Sequence, residues 1–185
     1  MLIKILLALV VIVAVFVVVV STRPSEFRIT RTAAISAPAA AVFAQVNDLH
    51  RWKAWSPWAK MDPNAKEVHE GPAAGTGAKM SWAGNMKVGA GSMTIVESRP
   101  HELIRFKLEF RKPMAATNTA EFTFQSQGNQ TLVTWSMSGH NNFIGKAMGL
   151  VMNCDKMIGG QFEKGLAQLK SIVESGAWNA TRIRL

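Results

Sequence analysis

The hydrophobic positions of this chain fall into two regimes. From Ile5 to Val20 all sixteen residues are apolar, whereas polar and apolar residues are mixed from Ser21 onward. An α-helix rises about 1.5 Å per residue, so residues 1–20 would span roughly the 30 Å hydrocarbon core of a bilayer. The pattern therefore predicts a transmembrane anchor at residues 1–21 and a short linker at residues 22–25.

Two other structures could produce such an apolar run. A secretory signal peptide ends in a small-residue cleavage site, and the stretch Val18–Pro24 contains no such site. A buried strand is usually about three to ten residues long, which is too short for this run. The favoured interpretation is a retained helix that contacts the membrane bilayer through Leu2–Val20.

The charges that flank the run leave its orientation open. Lys4 precedes it, and Arg23, Arg28 and Arg31 follow it against Glu26. Counting Lys and Arg alone would place the following domain in the cytoplasm. A very short, positively charged N-terminal flank is also typical of a signal-anchor with an exported domain. We favour the periplasmic side for the domain.

Beyond the linker, the hydrophobic periods become those of a mixed α and β domain. Phe27–Ile35 has apolar residues at alternate positions, with Arg31 as the exception, which predicts a strand. A helix is expected to open at Pro38, since the first turn does not need the N–H that proline lacks. Asp48–Trp58 predicts a second short helix, which Pro57 ends.

The middle of the domain carries strand patterns joined by turns. We expect strands at Glu67–Glu70, Thr76–Ala83, Met93–Glu97, Leu103–Phe110, Thr119–Gln125 and Leu132–Ser138, the last two joined by a tight turn at Gly128–Asn129.

The last long segment has a helical period. Ile158, Phe162, Leu166 and Leu169 recur at helical spacing, and Gly159–Gly160 predicts a kink or a division into two helices. Consecutive strands with short turns pair antiparallel. The expected fold is therefore α+β, a curved antiparallel sheet around a long C-terminal helix. This domain is assigned to residues 26–176, followed by a C-terminal tail at 177–185.

Composition adds a strong basic character. The formal net charge is +9, but the Lys and Arg residues are scattered and no nucleic-acid-binding motif is present. Nucleic acid is therefore not an expected partner, and a basic domain held at an anionic leaflet suffices to explain the charge. Cys154 is the single cysteine, so no disulfide can form within the chain. Its apolar neighbours favour a small buried group over a nucleophile.

Three stretches, in this order, resemble one known superfamily. They are Ile35–Pro38 with the following Val42–Phe43, the tryptophan-rich Asp48–Trp58, and the helical Asp155–Lys170. The chain is similar here to the SRPBCC or START-like superfamily, which has the helix-grip fold, and to its bacterial, membrane-anchored polyketide cyclase/dehydrase-like branch. That resemblance, covering roughly residues 26–175, implies an apolar cavity between the sheet and the long helix, used for lipids or other hydrophobic ligands.

Large apolar side chains supply candidates for the cavity wall. Methionine adapts its shape to irregular ligands, but it also fills ordinary cores, so a packed core remains the alternative. Trp52 is interpreted as a contact between its helix and the sheet, whereas Trp55 and Trp58 could line an entrance. The candidate ligand-binding residues are Trp55, Trp58, Met80, Trp82, Phe122, Phe124, Trp135, Met137, Met148 and Met152.

Catalytic signals in the sequence are weak. The four histidines show no metal-ligand spacing, and the glycines at 71–77 lack the end of a phosphate-binding loop. We therefore expect no metal and no cofactor. Proton transfer inside an apolar cavity would need only one or two polar groups. Glu121, Asp155 and His140 are the candidates, although each is more often a surface or capping residue.

Three functions are compatible with these patterns. The first is a membrane-tethered protein that binds a hydrophobic small molecule or lipid without a reaction. The second is a polyketide cyclase/dehydrase-like enzyme acting on a cavity-bound substrate. The third is an interaction subunit of an envelope complex that uses the scattered positive charge. The sequence favours the first, partly by analogy of fold.

Overall fold

A computed structural model describes residues 1–176 of the protein. The predicted C-terminal tail at 177–185 lies outside the described residues. Within them, seven strands form one antiparallel sheet in the order β1–β7–β6–β5–β4–β3–β2. The strands are β1 (Glu26–Ile35), β2 (Lys66–Glu70), β3 (Lys79–Ala83), β4 (Ala90–Arg99), β5 (Leu103–Lys112), β6 (Ala116–Gln127) and β7 (Gln130–His140).

Six α-helices accompany this sheet in the described part of the chain. The longest, at the C-terminal end, packs across the strands from β1 toward the short helices. This arrangement confirms the expected helix-grip architecture, a curved antiparallel sheet around a long helix. The helices are α1 (Leu2–Ser21), α2 (Ala39–Asn47), α3 (Trp52–Trp55), α4 (Pro57–Met61), α5 (Phe143–Val151) and α6 (Cys154–Glu174).

The apolar run forms α1, which stands outside the core. Only 6 % of its most apolar stretch is buried, and Val20 is its one buried residue. A core helix of this hydropathy would be mostly covered by the rest of the fold. Among residues 1–176, α1 is the one helix long and apolar enough to cross a membrane.

The short helical region differs from its prediction. A 3₁₀ turn at Leu49–Arg51 leads into α3, the chain extends at Ser56, and Pro57 begins α4 as its first residue. The prediction that Pro57 ends a single helix was therefore wrong. Proline has no N–H to donate, and the first turn of a helix is where that costs least.

The long helix also differs from expectation at its glycines. α6 runs without interruption from Cys154 to Glu174, so the predicted division at Gly159–Gly160 was wrong. The break comes earlier, between α5 and α6, where the Asn153 side chain accepts the Lys156 N–H at 2.9 Å and caps α6. Cys154 is the first residue of α6 and is only half-buried.

Gly159 instead leaves space for Arg31, the charged residue among the apolar positions of β1. Arg31 lies on the inner face of β1, and a Cβ at Gly159 would overlap its guanidinium group. That group binds the Asp155 carboxylate at 2.9 Å and the Glu163 carboxylate at 2.6 Å. A buried-face position thus carries a charge because α6 supplies two carboxylates for it.

The core lies between the inner face of the sheet and helices α2, α3 and α6. Its members belong to one continuous cluster, in which large aromatic and aliphatic groups meet. The largest fully buried side chains of the domain are Trp55, Phe106, Phe122, Phe162, Ile35, Leu49, Ile95, Ile104, Leu166 and Leu169.

Candidate functional site

The sheet and α6 do not fill the space between them completely. A cavity of about 240 Å³ remains beside the core, bounded by the sheet, by α3 and α4, and by the first half of α6. Its wall is formed by Trp52, Lys53, Ser56, Trp58, Ala59, Ala65, Glu67, Met80, Trp82, Val88, Met93, Phe106, Leu108, Phe110, Ala120, Trp135, Met137, Ile158 and Phe162.

One side of the cavity is a cluster of aromatic rings. Trp135 stacks on Phe162 of α6 with ring centroids 4.2 Å apart. The rings of Trp58 and Trp52 contact Trp135 edge-on, with centroid distances of 5.7 and 6.1 Å. Gly165 permits this packing, because a Cβ there would lie 2.7 Å from Cζ3 of Trp135. Rigid rings with edge-to-face contacts give the wall a fixed shape.

The opposite side is built on the strands nearer the sheet edge. Trp82 lies over Gly91 of the next strand, where a Cβ would come within 2.7 Å of the Trp82 ring. Its indole N–H donates to the Val88 carbonyl oxygen at 3.3 Å, and its ring meets Phe110 edge-on at 5.8 Å. The N–H is therefore satisfied and the indole presents apolar surface to the cavity.

Polar side chains are few in this wall. Among the described residues, the lining contains Lys53, Ser56 and Glu67, and every other lining side chain is apolar or aromatic. The Glu67 carboxylate lies 4.0 Å from Nε2 of His69 on the same strand. The indole N–H of Trp135 is buried and has no hydrogen-bond partner within residues 1–176.

The cavity occupies the end of the sheet at which the first strand begins. Met137 of the wall pairs with Ile29, three residues after the start of β1. Phe110, also of the wall, pairs with Ala116, the first residue of β6. The last residue of β7, His140, lies at this same end of the sheet and pairs with Glu26, the first residue of β1. Since Glu26 follows the end of α1 by only five residues, the cavity and the end of α1 lie at the same end of the sheet.

Half of the predicted ligand-binding residues line the cavity. They are Trp58, Met80, Trp82, Trp135 and Met137. Sequence reasoning missed several others, including Met93, Phe106, Leu108, Ile158 and Phe162. Each of these lies in a predicted strand or in the predicted apolar stripe of the long helix. Hydrophobic periodicity therefore identified the inward-facing side of each element, but not which residues on that side lie next to the cavity.

Three predicted wall residues belong to the packed core instead. Trp55 is 0 % exposed, with its ring 5.8 Å from Trp135 and its indole N–H donating to the Gln45 carbonyl oxygen at 3.4 Å. It lies behind Trp52, which takes the cavity-facing position. Phe122 and Phe124 are also buried, because they lie further along β6, where α2 and α3 cover the sheet.

The two predicted wall residues near the start of the long helix are also placed elsewhere. Met148 lies on α5 and Met152 immediately after it, and both are exposed. The helix α5 packs against α1 and not across the sheet. Because the chain breaks after α5, these side chains do not reach the cavity that Ile158 and Phe162 line.

None of the three catalytic candidates lines the cavity. Glu121 is on the outer face of β6, with Oε1 2.6 Å from Nε of Arg105 and Oε2 3.6 Å from Arg28. Hydrogen bonding and charge from Arg31 hold the pKa of the Asp155 carboxyl below its ordinary value. His140 is exposed at the last position of β7. Within residues 1–176, no cluster of three His, Cys, Asp or Glu side chains is arranged to hold a metal.

Solved structures with the same fold have little sequence in common with this chain. Protein CV1439 from Chromobacterium violaceum is 17 % identical, with a TM-score of 0.58 over 82 % of this chain and 99 % of that protein. Protein MLL2253 from Mesorhizobium loti is 12 % identical, with a TM-score of 0.58 over 80 % of this chain and 98 % of that one.

A third structure is that of a named biosynthetic protein. It is the di-domain ARO/CYC BexL from the BE-7585A biosynthetic pathway, 18 % identical, with a TM-score of 0.60 over 84 % of this chain and 52 % of BexL. At these identities the likeness concerns the fold alone. No curated protein matches this chain.

Family assignment rests on a match that covers most of the domain. The sequence profile described as polyketide cyclase / dehydrase and lipid transport matches residues 26–174, which is the whole span from β1 to the end of α6. With the helix-grip fold and the cavity between sheet and helix, this confirms the resemblance that the sequence motifs indicated. The chain belongs to the polyketide cyclase / dehydrase and lipid transport family of the SRPBCC superfamily.

Proposed function

We propose that this protein binds a hydrophobic small molecule or lipid in the cavity between the sheet and α6, while α1 tethers it to a membrane. The observation that carries the proposal is the wall itself, in which Lys53, Ser56 and Glu67 are the polar side chains among nineteen lining residues. Ligand sites are typically apolar concavities with a few placed polar groups. The family description names lipid transport beside cyclase and dehydrase activity.

The size of the cavity limits the ligand. At about 240 Å³, it is slightly below the range of about 300–1,000 Å³ that is usual for small-molecule sites. One acyl chain or one compact ring compound fits that volume better than a whole phospholipid does. The aromatic cluster around Trp135 favours a ligand with flat or extended apolar surface.

Binding is better supported than catalysis by the polar groups of the wall. A reaction needs an acid, a base or a nucleophile within reach of the ligand. Glu121, Asp155 and His140 do not line the cavity, and the first two are held by arginines on the protein surface. Lys53, Ser56 and Glu67 do line it, but within residues 1–176 no side-chain hydrogen bond joins any two of them into an acid–base or nucleophile–base pair. We therefore propose a holding or carrying role, with the cyclase/dehydrase-like reaction as the alternative.

The tether supports a ligand that dissolves in lipid. The cavity lies at the end of the sheet that follows α1, and only Thr22–Ser25 separate α1 from β1. Such a short linker keeps the local concentration of the domain near the bilayer high. A ligand that partitions into the membrane would then be within reach of the cavity.

We further propose that the domain lies on the periplasmic side of a bacterial membrane. The positive charge of Lys4 before the apolar run supports this orientation. A Gln127→Cys variant in a Cys154→Ser background should react with a membrane-impermeant maleimide in intact cells with a permeabilised outer membrane. Labelling only after lysis would place the domain in the cytoplasm instead.

Photo-crosslinking of the full chain in vesicles tests the binding proposal. Vesicles containing a diazirine-labelled fatty acid are irradiated, and labelled peptides are located by mass spectrometry. We expect label on the peptides of Met80, Met93 and Ile158, which line the cavity. Any label on α1 reports only membrane contact and serves as the internal reference.

A filled cavity provides the matched control. Ala120→Phe places a ring in the cavity from β6, whereas Thr119→Phe on the same strand adds a ring to the opposite face. We expect Ala120→Phe to abolish cavity labelling and Thr119→Phe to retain it, with label on α1 unchanged in both. Equal cavity labelling in the two variants would contradict the proposal, provided that both melt cooperatively.

A further inference from the structure

The helix between the sheet and α6 exposes an apolar surface of its own. α5 has no buried residue, and Ile144, Met148, Val151 and Met152 are all exposed, with Val151 at 86 %. These positions follow the i, i+4, i+7, i+8 spacing of one helix face. Phe143, at the start of α5, and Met157, in the first turn of α6, are also exposed. A contiguous patch of this kind on a soluble surface marks an interaction site.

The packing partner of α5 shows where this patch lies. α5 contacts α1, and the exposure of α1 falls from 56 % at Val15 to 43 % at Val17 and 0 % at Val20, while Val18 remains 61 % exposed. One side of the last turn of α1 is therefore covered and the other is free. Phe16 to Val20 corresponds to about 6 Å along the helix axis.

The chain geometry fixes the same placement independently of that packing. The Asn141 N–H donates to the Ser25 carbonyl oxygen at 2.7 Å, so α5 starts beside the linker that leaves α1. The Asn142 side chain then caps α5 by accepting the Gly145 N–H at 2.9 Å. α5 is thus held at the level at which α1 would emerge from a bilayer.

The charges near the patch are mostly positive, with Glu26 at the start of β1 as an acidic exception. Lys146 is the one ionisable residue within α5, and Arg23 lies in the linker after α1. Lys156 follows in the first turn of α6, where the Asp155 carboxylate is engaged by Arg31. An apolar face bordered by basic residues is the pattern of a helix that lies in an anionic lipid interface.

We propose that α5 is a second membrane contact, an interfacial helix whose apolar face enters the leaflet from which α1 emerges and whose basic border meets anionic phospholipid headgroups. This inference rests on the proposed membrane placement of α1. Interfacial helices bury their apolar face about 5–10 Å deep, which is comparable with the roughly 6 Å between Phe16 and Val20 at the end of α1. The two contacts together would fix how the domain stands on the membrane.

Spin-label accessibility in the full chain tests this placement. In a Cys154→Ser background, single nitroxide labels are placed by Val151→Cys on α5, Val15→Cys on α1, and Gln127→Cys at the far end of the sheet. The chain is reconstituted in vesicles of phosphatidylcholine with a minority of phosphatidylglycerol. Collision with oxygen, which enters the bilayer, is compared with collision with a water-soluble nickel chelate.

We expect the Val151 label to favour oxygen over nickel as the Val15 label does, and the Gln127 label to favour nickel. A Val151 label as accessible to nickel as the Gln127 label would overturn the proposal. Spin–spin broadening at Val151 together with low access to both oxygen and nickel would show that a second copy covers the patch instead, which also overturns it. The Val15 label reports on α1 alone, so failure of the membrane placement itself is recognised separately.

Discussion

At the scale of single residues, three glycines of α6 show how closely the helix approaches the sheet. A Cβ at Gly159 would overlap the Arg31 guanidinium, and one at Gly165 would lie 2.7 Å from Trp135 and 3.2 Å from Pro57. A Cβ at Gly160 would meet nothing within 4 Å. Two of the glycines are therefore required by packing, whereas the third only weakens the helix.

This difference predicts opposite effects for the same substitution. Gly160→Ala should stabilise the protein by up to about 1 kcal/mol, the usual advantage of alanine within a helix. Gly165→Ala gains the same propensity but forces Trp135 and Pro57 apart, an overpacking cost of about 1–3 kcal/mol. Thermal unfolding of the full chain in detergent micelles should show a raised midpoint for the first variant and a lowered one for the second. Equal shifts would mean that α6 does not approach the sheet as closely as described.

The Arg31 ion pair predicts a dependence of stability on acid. Arg31 lowers the pKa of the Asp155 carboxyl in the folded state, so the pair stabilises the fold above the unfolded pKa of about 3.9. That contribution is lost as the pH falls through the lower, folded value. Arg31→Gln should therefore lower the unfolding midpoint at neutral pH and converge with the parent protein in strong acid. Arg28→Gln, at a looser surface pair, is the control and should run parallel to the parent.

At the scale of elements, hydrophobic period identified most of the fold. Three elements appear where the sequence predicts them: the strand at Phe27–Ile35, the two strands joined by the turn at Gly128–Asn129, and the helix α6 with its apolar stripe. Breaks between helices were harder to predict. Pro57 is as suitable for starting a helix as for ending one, and nothing in the apolar stretch before Asn153 marks where α5 stops.

The cavity wall shows the corresponding limit for the site. Phe122, Phe124 and Ala120 alternate on one face of β6, so period alone treats them alike. Only Ala120 lines the cavity, because α2 and α3 cover the other end of the strand. Whether a residue on this face lines the cavity or belongs to the core depends on which helix crosses the strand at that point. Tertiary packing decides this, and hydrophobic periodicity does not report it.

The two asparagine caps predict different consequences for the two helices that they begin. Asn153→Ala removes the cap of α6, a core element, and should lower the free energy of unfolding by about 1 kcal/mol. Asn142→Ala removes the cap of α5, which has no buried residue. It should speed hydrogen exchange of the α5 amides while leaving global stability nearly unchanged. A global loss of the same size in both variants would show that α5 belongs to the cooperative core.

At the scale of the whole molecule, the end of α1, the start of β1, the end of β7, α5 and the cavity share one end of the sheet. The hairpin at Gly128 lies at the other end. The chain thus leaves the proposed membrane contact and returns to it before α6 begins. If α1 and α5 both hold the membrane, the cavity is kept at the bilayer by two contacts joined through the short Thr22–Ser25 linker.

Two contacts that hold the same end of a molecule should substitute for one another. A flexible Gly/Ser insert of about ten residues after Thr22 would let the ends of the linker separate by roughly 18 Å. With α5 intact, the cavity should stay at the membrane, and photolabelling by a diazirine fatty acid should fall only slightly. Val151→Glu alone should also have a small effect, because the native linker still limits the distance between the domain and the membrane.

The two changes together should reduce cavity labelling several-fold, well beyond the product of the separate effects, while label on α1 stays constant. A combined loss no larger than that product would show that linker and helix act independently, and that α5 does not hold the cavity at the bilayer.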